Sequence, residues 1–292
     1  MVQRRYHRRV QLPIAIVAVF VMLWGALWGS FLNVVVYRVP AGLSVVHPRS
    51  RCPQCGSPIT WWQNIPVLSW ALLGGRCHHC KTWISVRYPL VEAAAAVLAL
   101  GVAWPWLPGL ASGDVLPWQV AVGVLAEQCF VFALLAIALI DSDTFLVPDV
   151  LSLPLPLIGL GLAFAVGPLR GVTWQQSAAG ALAGGGGLLA VQWLYAVLTR
   201  REGLGTGDVK LMAGIGAFLG VQALPAVLLA SALLGLLFVG GWSLVGRGKL
   251  AEDRGLSSIR HLAMPFGPFL AVGAVQWLLL HRMASHALAR WF

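Results

Sequence analysis

Apolar residues run in long blocks along this chain, broken by short polar segments. Blocks at roughly 13–36, 89–106, 118–140, 150–166, 176–198, 223–245 and 264–280 approach the length that carries a helix across a bilayer. A shorter block, roughly 209–219, suits a helix that begins inside a cavity and not at the lipid surface. The pattern predicts an all-α polytopic membrane protein with about eight transmembrane helices. One polar stretch, roughly 41–88, is long enough to form a module of its own. Three segments follow: 1–40 with the first span, 41–88 as a soluble module, and 89–292 as a transmembrane bundle.

Composition agrees. Of 292 residues 59% are hydrophobic and only 10% charged, against roughly 25% charged in soluble domains. The formal net charge of +10 comes from 20 Lys+Arg over 10 Asp+Glu. These basic residues lie between apolar blocks, which assigns them to anionic lipid headgroups. No basic stripe is interleaved with aromatic residues, so nucleic acid is not an expected partner. Putting the 41–88 segment inside places most of the Lys and Arg on the cytoplasmic side. Arg4, Arg5, Arg8 and Arg9 then fall outside, against the rule. That start is basic and precedes an apolar run, as in a signal peptide. The run is long and no small-residue cleavage site follows, so it reads as a retained span.

The soluble stretch holds two matched pairs, Cys52-Pro-Gln-Cys55 and Cys77-His-His-Cys80. Two residues between thiolates let both sulfurs of one turn reach the same ion, and two such turns complete a tetrahedral four-cysteine zinc site. The gap between pairs is slightly longer than the usual ribbon spacing of about 15–20 residues. Four thiolates leave no open position, so this zinc is structural. Two disulfides are the alternative and require the opposite topology. His78 and His79 are alternative ligands, or simply loop residues. Cys129, alone in an apolar block, reads as a packed thiol.

Two acidic motifs carry the candidate chemistry. Asp141 ends one apolar block in LIDSDTFLVPD, and Asp208 follows two glycines in GLGTGDVKL. Charges at membrane-helix ends are costly and mark function. Two carboxylates brought together act as a coupled unit, as in aspartic proteases: one takes a proton from water and the other donates to the scissile carbonyl. Gly205 and Gly207 are expected to supply unusual backbone angles and close approach of a substrate strand. Asp143 reads as a loop carboxylate or a substrate contact. Asp149, after Pro148, is expected to cap a helix. Lys210 is expected to tune Asp208 or to meet lipid. Glu92, early in its block, is expected to pair with Arg87. The run Gly184 to Gly187 implies close helix packing or a local distortion. Asn33 is expected to be hydrogen-bonded at the membrane edge.

With GSFLNVVVYRVP, both CxxC pairs, WWQNIPVLSW, ISVRYPLVE, DSDTFLVPD, GLGTGDVKL and PFGPFL in this order, the chain resembles the bifunctional type IV prepilin leader peptidases/N-methyltransferases, which are GxGD membrane aspartic proteases. The resemblance implies a bacterial inner-membrane enzyme. It would cut the basic leader from type IV prepilins or type II secretion pseudopilins on the cytoplasmic side, after a glycine. It would then methylate the new N-terminus with S-adenosylmethionine. Asp141 and Asp208 align with the catalytic pair. The retained cysteine module matches the bifunctional members. No glycine-rich dinucleotide fingerprint marks the methyl-donor site; Gly75 and Glu92 are the candidates for it. The competing readings are a peptidase without methylation, a zinc-dependent protease, and a non-enzymatic zinc-stapled scaffold or transporter.

Overall fold

The computed structural model describes residues 14–107, 115–200, 205–245 and 264–288, with side chains omitted at 242–245 and 282–288. The N-terminal arginines Arg4, Arg5, Arg8 and Arg9, and also Asp114, Arg201, Gly203 and the charged stretch from Arg247 to Arg260, lie outside the described residues. Helices dominate, and the described residues form no strand beyond isolated bridges. Among the described residues, six helical stretches are long and apolar enough to cross a membrane. Two further apolar helices occupy the remaining predicted positions: Thr206–Leu219 and Gly267–Leu288. The order of these eight helices among the described residues therefore matches the hydropathy pattern, and six of them are both long and apolar enough for a span.

The chain divides into two compact units. One runs up to Phe132 and includes the end of the last helix from Arg282; the other is Ala133–His281. In the first unit, α1 (Ile14–Arg38) packs along α3 (Arg87–Ala103). Small residues make the contact. A Cβ on Gly25 would stand 2.5 Å from Ala99 Cβ and 2.7 Å from the Ala95 carbonyl. One on Gly29 would stand 2.6 Å from Glu92 Cα. This glycine-alanine seam lets backbones approach where lipid gives no hydrophobic drive to associate. Asn33 closes the seam's end by donating from Nδ2 to the Tyr88 carbonyl at 3.3 Å.

Between α1 and α3 the chain leaves the bundle as the cysteine module. Arg38, the last residue of α1, donates to the carbonyls of Ser44 and Pro48 at 2.8 Å each, which fixes the exit direction. A 3-10 turn (Trp61–Asn64) and a short helix α2 (Leu68–Leu72) follow. Helix α4 (Pro117–Thr144) then carries Glu127 and Gln128, both buried in mid-helix. Each is satisfied there: Trp106 Nε1 donates to Glu127 at 3.1 Å, and Gln128 donates to the Ala99 carbonyl while accepting from Trp24 Nε1. Cys129 next to them is exposed, contrary to the packed thiol expected. On a helix in lipid the outward face is apolar, and a thiol fits it.

In the second unit, α5 (Asp149–Ser152) and α6 (Pro154–Arg170) form one span that kinks at Val166, next to Pro168. Helix α7 (Trp174–Thr199) starts with a capping box in which Thr173 accepts the Gln176 amide. It lies against α8 (Thr206–Leu219), and glycines again set the distance. Cβ atoms on Gly180 or Gly216 would each stand 2.1 Å from the other's carbonyl oxygen. Gly184 faces the Met212 carbonyl and Gly185 the Ala213 methyl, whereas Gly186 and Gly187 face open space. The glycine run thus serves close packing inside a continuous helix. Helices α9 (Leu224–Val245) and α10 (Gly267–Leu288) complete the unit. Helix α8, at 14 residues, spans ~21 Å, short of a ~30 Å hydrocarbon core.

Candidate active site

The two acidic motifs meet in the second unit. Asp141 is in the last turn of α4 and Asp208 in the first turn of α8; both are buried. The turns that carry them are brought together by contacts between the two motifs. Three contacts hold the motifs in this arrangement. Gly207 lies under Val147, where a Cβ would stand 2.6 Å from Val147 Cβ. Lys210 Nζ meets Asp149 Oδ1 at 2.6 Å. The Gly267 amide donates to Asp141 Oδ2 at 2.9 Å, across a separation of 126 residues.

Several side chains act differently from the sequence reading. Pro148 is the N-cap of α5; Asp149 is its first helical residue, and no side-chain cap bond forms. Its carboxylate belongs to Lys210 instead, and Lys210 in turn meets a carboxylate and not lipid. Gly205 is the N-cap of α8 at φ −71°, and Gly207 lies inside the helix. Neither uses a left-handed backbone, and what requires glycine at 207 is Val147 of this chain. Asp143 is exposed in the last turn of α4.

The second candidate site is in the first unit. The ligand atoms of Cys52, Cys55, Cys77 and Cys80 all lie within 4.8 Å of one another, and all four cysteines are free of disulfides. The donor set fits zinc. Zn–S bonds of about 2.3 Å in a tetrahedron place sulfurs ~3.8 Å apart, and Cys52 Sγ stands 3.8 Å from Cys80 Sγ. Two equivalent turns build the cluster. The Cys52 amide donates to Ser57 and the Gly56 amide to Cys52; the Cys77 amide donates to Thr82 and the Lys81 amide to Cys77. Each turn is closed by a bridge, Arg51 with Pro58 and Arg76 with Trp83. The residue after each second cysteine is left-handed: Gly56 at φ 69° and Lys81 at φ 57°. Hydrogen bonds with the Ser57 hydroxyl and amide pull the Cys55 thiol down to about 6. The Cys80 and His79 amides likewise lower Cys77. Against a backbone hydrogen bond from Thr82, burial and the neighbouring thiols push Cys80 the other way, to about 11, so the cluster gives up its protons as a coupled set that the lowered thiols lead. His78 packs edge-on against Trp62 and His79, outside the sulfur cluster.

Around this cluster the other candidates fall into place. Gly75, at φ 67°, lies under the Trp70 ring, which a Cβ would meet at 2.8 Å. Its amide donates to Trp70 and its carbonyl accepts from Ile84. Glu92 is buried and accepts the Val67 amide at 2.7 Å, with the Ser30 hydroxyl beside it. It therefore ties α3 to the module and to α1, a role unlike the expected Arg87 pair. Val67 itself has φ 61° and ψ −48°, and the Leu68 amide returns to the Pro66 carbonyl at 2.6 Å. A β-branched residue in this γ-turn is strained, and the Glu92 carboxylate anchors it. Sequence reasoning missed Val67 and Gly267, although each sits in a motif it quoted.

Comparison with known proteins follows the same two parts. Residues 23–106 match the Bacterial Peptidase A24 N-terminal domain, and residues 128–240 match the Type IV leader peptidase family. The prepilin leader peptidase/N-methyltransferase of Aeromonas salmonicida (strain A449) is 37% identical over 298 residues, covering 93% of this chain and 92% of that protein. Its namesake in Pseudomonas putida is 40% identical over 279 residues, covering 87% and 88%. That of Pseudomonas aeruginosa is 38% identical over 291 residues, covering 92% and 91%. No solved structure gives a significant match. Identity at this level, over 93% of the chain in the first of these relatives, makes the chain a member of the type IV leader peptidase family.

Proposed function

We propose that this chain removes the basic leader from prepilin or pseudopilin precursors and then methylates the exposed N-terminus. The relatives carry both activities in their name. The observation that carries the peptidase reading is that Asp141 and Asp208 are both buried, on motifs that meet through Val147 against Gly207 and Asp149 with Lys210. In this reading one carboxylate takes a proton from water as its oxygen attacks the peptide carbonyl. The other protonates the carbonyl oxygen. The tetrahedral species then collapses, the C–N bond breaks, and a proton passes to the leaving amine. Asp143 is exposed where a basic leader would arrive, and the apolar helix of a precursor would enter from lipid.

The methyl-transfer reading rests on the first unit. Cys52, Cys55, Cys77 and Cys80 hold one structural zinc, which fixes the two turns and supplies no catalytic position. Residues 41–88, with Glu92 from the helix that follows, serve methyl transfer, and the bundle within 89–292 serves leader cleavage. S-adenosylmethionine supplies the methyl group, and the accepting amine loses a proton. Gly75 contributes turn shape and Glu92 a carboxylate near the membrane boundary. Both sites face the cytoplasm in a bacterial inner membrane, with anionic lipid around the basic loops.

The test is direct. Membranes containing the Asp208→Asn variant are incubated with a prepilin and S-adenosylmethionine, and the product's N-terminus is read by mass spectrometry. The expected result is uncut prepilin. Cleavage at the full rate removes Asp208 from the chemistry. With the unaltered chain, a cut but unmethylated product reduces the activity to peptidase alone.

A further inference from the structure

We infer that Gly267, the first residue of α10, is a positioning residue for the Asp141 carboxylate. This rests on the peptidase reading above. An amide in the first turn of a helix has no partner within the helix. In α10 the Gly267 amide is spent on Asp141 Oδ2 at 2.9 Å, in a buried setting. The bond fixes one carboxylate oxygen, and with it the orientation of the acid. Only glycine fits. A Cβ at 267 would stand 2.7 Å from Oδ2 and 3.2 Å from the carboxylate carbon. The atoms in its way belong to the acid itself and not to some flexible neighbour, so any side chain displaces the reacting group. The PFGPF segment thereby gains a task that neither acidic motif performs. It delivers a fixed donor to Asp141 from a helix far along the chain.

Gly273 supplies the control. It lies on the same helix, and a Cβ there would stand 2.9 Å from Ser231 Oγ and 3.0 Å from the Val227 carbonyl. Gly273→Ala thus strains α10 comparably without touching Asp141. Purified full-length enzyme is assayed for leader cleavage over a range of prepilin concentrations. Gly267→Ala is expected to lower kcat roughly 100-fold, as an ångström of misplacement does, with KM nearly unchanged. Gly273→Ala is expected to keep kcat within a few-fold. Equal losses in both variants, or a normal kcat in Gly267→Ala, overturn the proposal. A loss of folding in Gly267→Ala is covered by a second pair. Asp141→Asn keeps an oxygen for the Gly267 amide; Asp141→Ala leaves that amide buried without an acceptor. Asp141→Ala is expected to melt several degrees below Asp141→Asn, and equal melting overturns the contact. The peptidase reading fails separately, if Asp141→Asn cleaves normally.

Discussion

Gly207→Ala tests whether close packing sets the distance between the acids. A Cβ placed at 207 would stand 2.6 Å from Val147 Cβ and 2.9 Å from Val147 Cγ2. Carbon atoms settle at roughly 3.5–4.0 Å, so the two motifs must part by about 1 Å. Val147 is backed by Pro148 and by the α5 start, and Gly207 by the α8 turn that carries Asp208. Neither side is a flexible tip able to swing away. Overpacking of this kind costs ~1–3 kcal/mol in stability. The same ångström applied to reacting groups costs about 100-fold in rate, or ~2.7 kcal/mol of barrier. The assay is leader cleavage by purified enzyme, with methylation of an already processed pilin peptide as the parallel readout. Cleavage is expected to fall about 100-fold while methylation holds. Val147→Gly removes the opposing Cβ, so the double variant is expected to recover most of the loss. Wild-type cleavage by Gly207→Ala refutes the argument, as does a double variant no better than the single one.

Other outcomes follow from the same geometry. Glu92→Ala leaves the Val67 amide buried without its acceptor, which costs about 1–3 kcal/mol; methylation is expected to fall while cleavage persists, and Glu92→Gln, which keeps an oxygen, is expected to be milder. In metal-stripped protein, Cys55 alkylation followed by mass spectrometry is expected to rise with pH and half-saturate near about 6, and zinc is expected to block it. The sign follows from linkage: a thiol lowered in the fold favours the ionised native state at high pH, and that contribution fades as pH falls toward about 6. Lys81→Gly relieves a left-handed backbone at φ 57° and is expected to raise the melting temperature of the metal-free protein, by up to roughly 1 kcal/mol equivalent. Lys210→Ala breaks an ion pair whose side chains are 34% and 59% exposed, so a stability change within ~1 kcal/mol and only a small change in cleavage are expected.

Much of this arrangement was legible before any coordinates. Helix order followed from hydropathy because a membrane helix must be apolar along its length and satisfies its own backbone. The cysteine cluster followed from spacing, because a CxxC turn is a local geometry. The two acidic motifs stood out by their residues, and Val147 against Gly207 and Asp149 with Lys210 bring them together in one unit. What escaped the pattern was non-local or competitive. Asp149 follows proline and precedes apolar residues, the right place for a cap, yet a lysine 61 positions on takes its carboxylate. Lys81 occupies the position that Gly56 fills in the first turn, and nothing in CHHCK marks it as left-handed. Glu92 has an arginine five residues before it on the same helix, yet it accepts an amide from the γ-turn at Val67. The Gly267 contact depends on how the last helix enters its unit, and local periodicity carries no trace of that.

The three contacts at the acidic motifs are unequal, and the inequality indicates how the site is built. The Asp149–Lys210 pair is partly exposed and screened, and such pairs are worth about 0–1 kcal/mol. The Gly207–Val147 contact cannot relax without moving an entire turn, because a close-packed contact rises steeply in energy when compressed. The Gly267 amide is buried and directional, and an amide bonded to a carboxylate gains ~1.5–3 kcal/mol. Glycines therefore hold the distance and orientation, and the charged pair trims the outer edge. In a bilayer this ordering is the workable one. Side-chain clamps would have to be long, polar and satisfied, whereas a missing side chain admits backbone directly and exposes no polar group to lipid. The same device recurs at the Gly25–Ala99 and Gly180–Gly216 approaches. The acids are thus placed by the same small-residue packing that assembles the helices, and substitutions at these glycines should reach the chemistry before they unfold the chain.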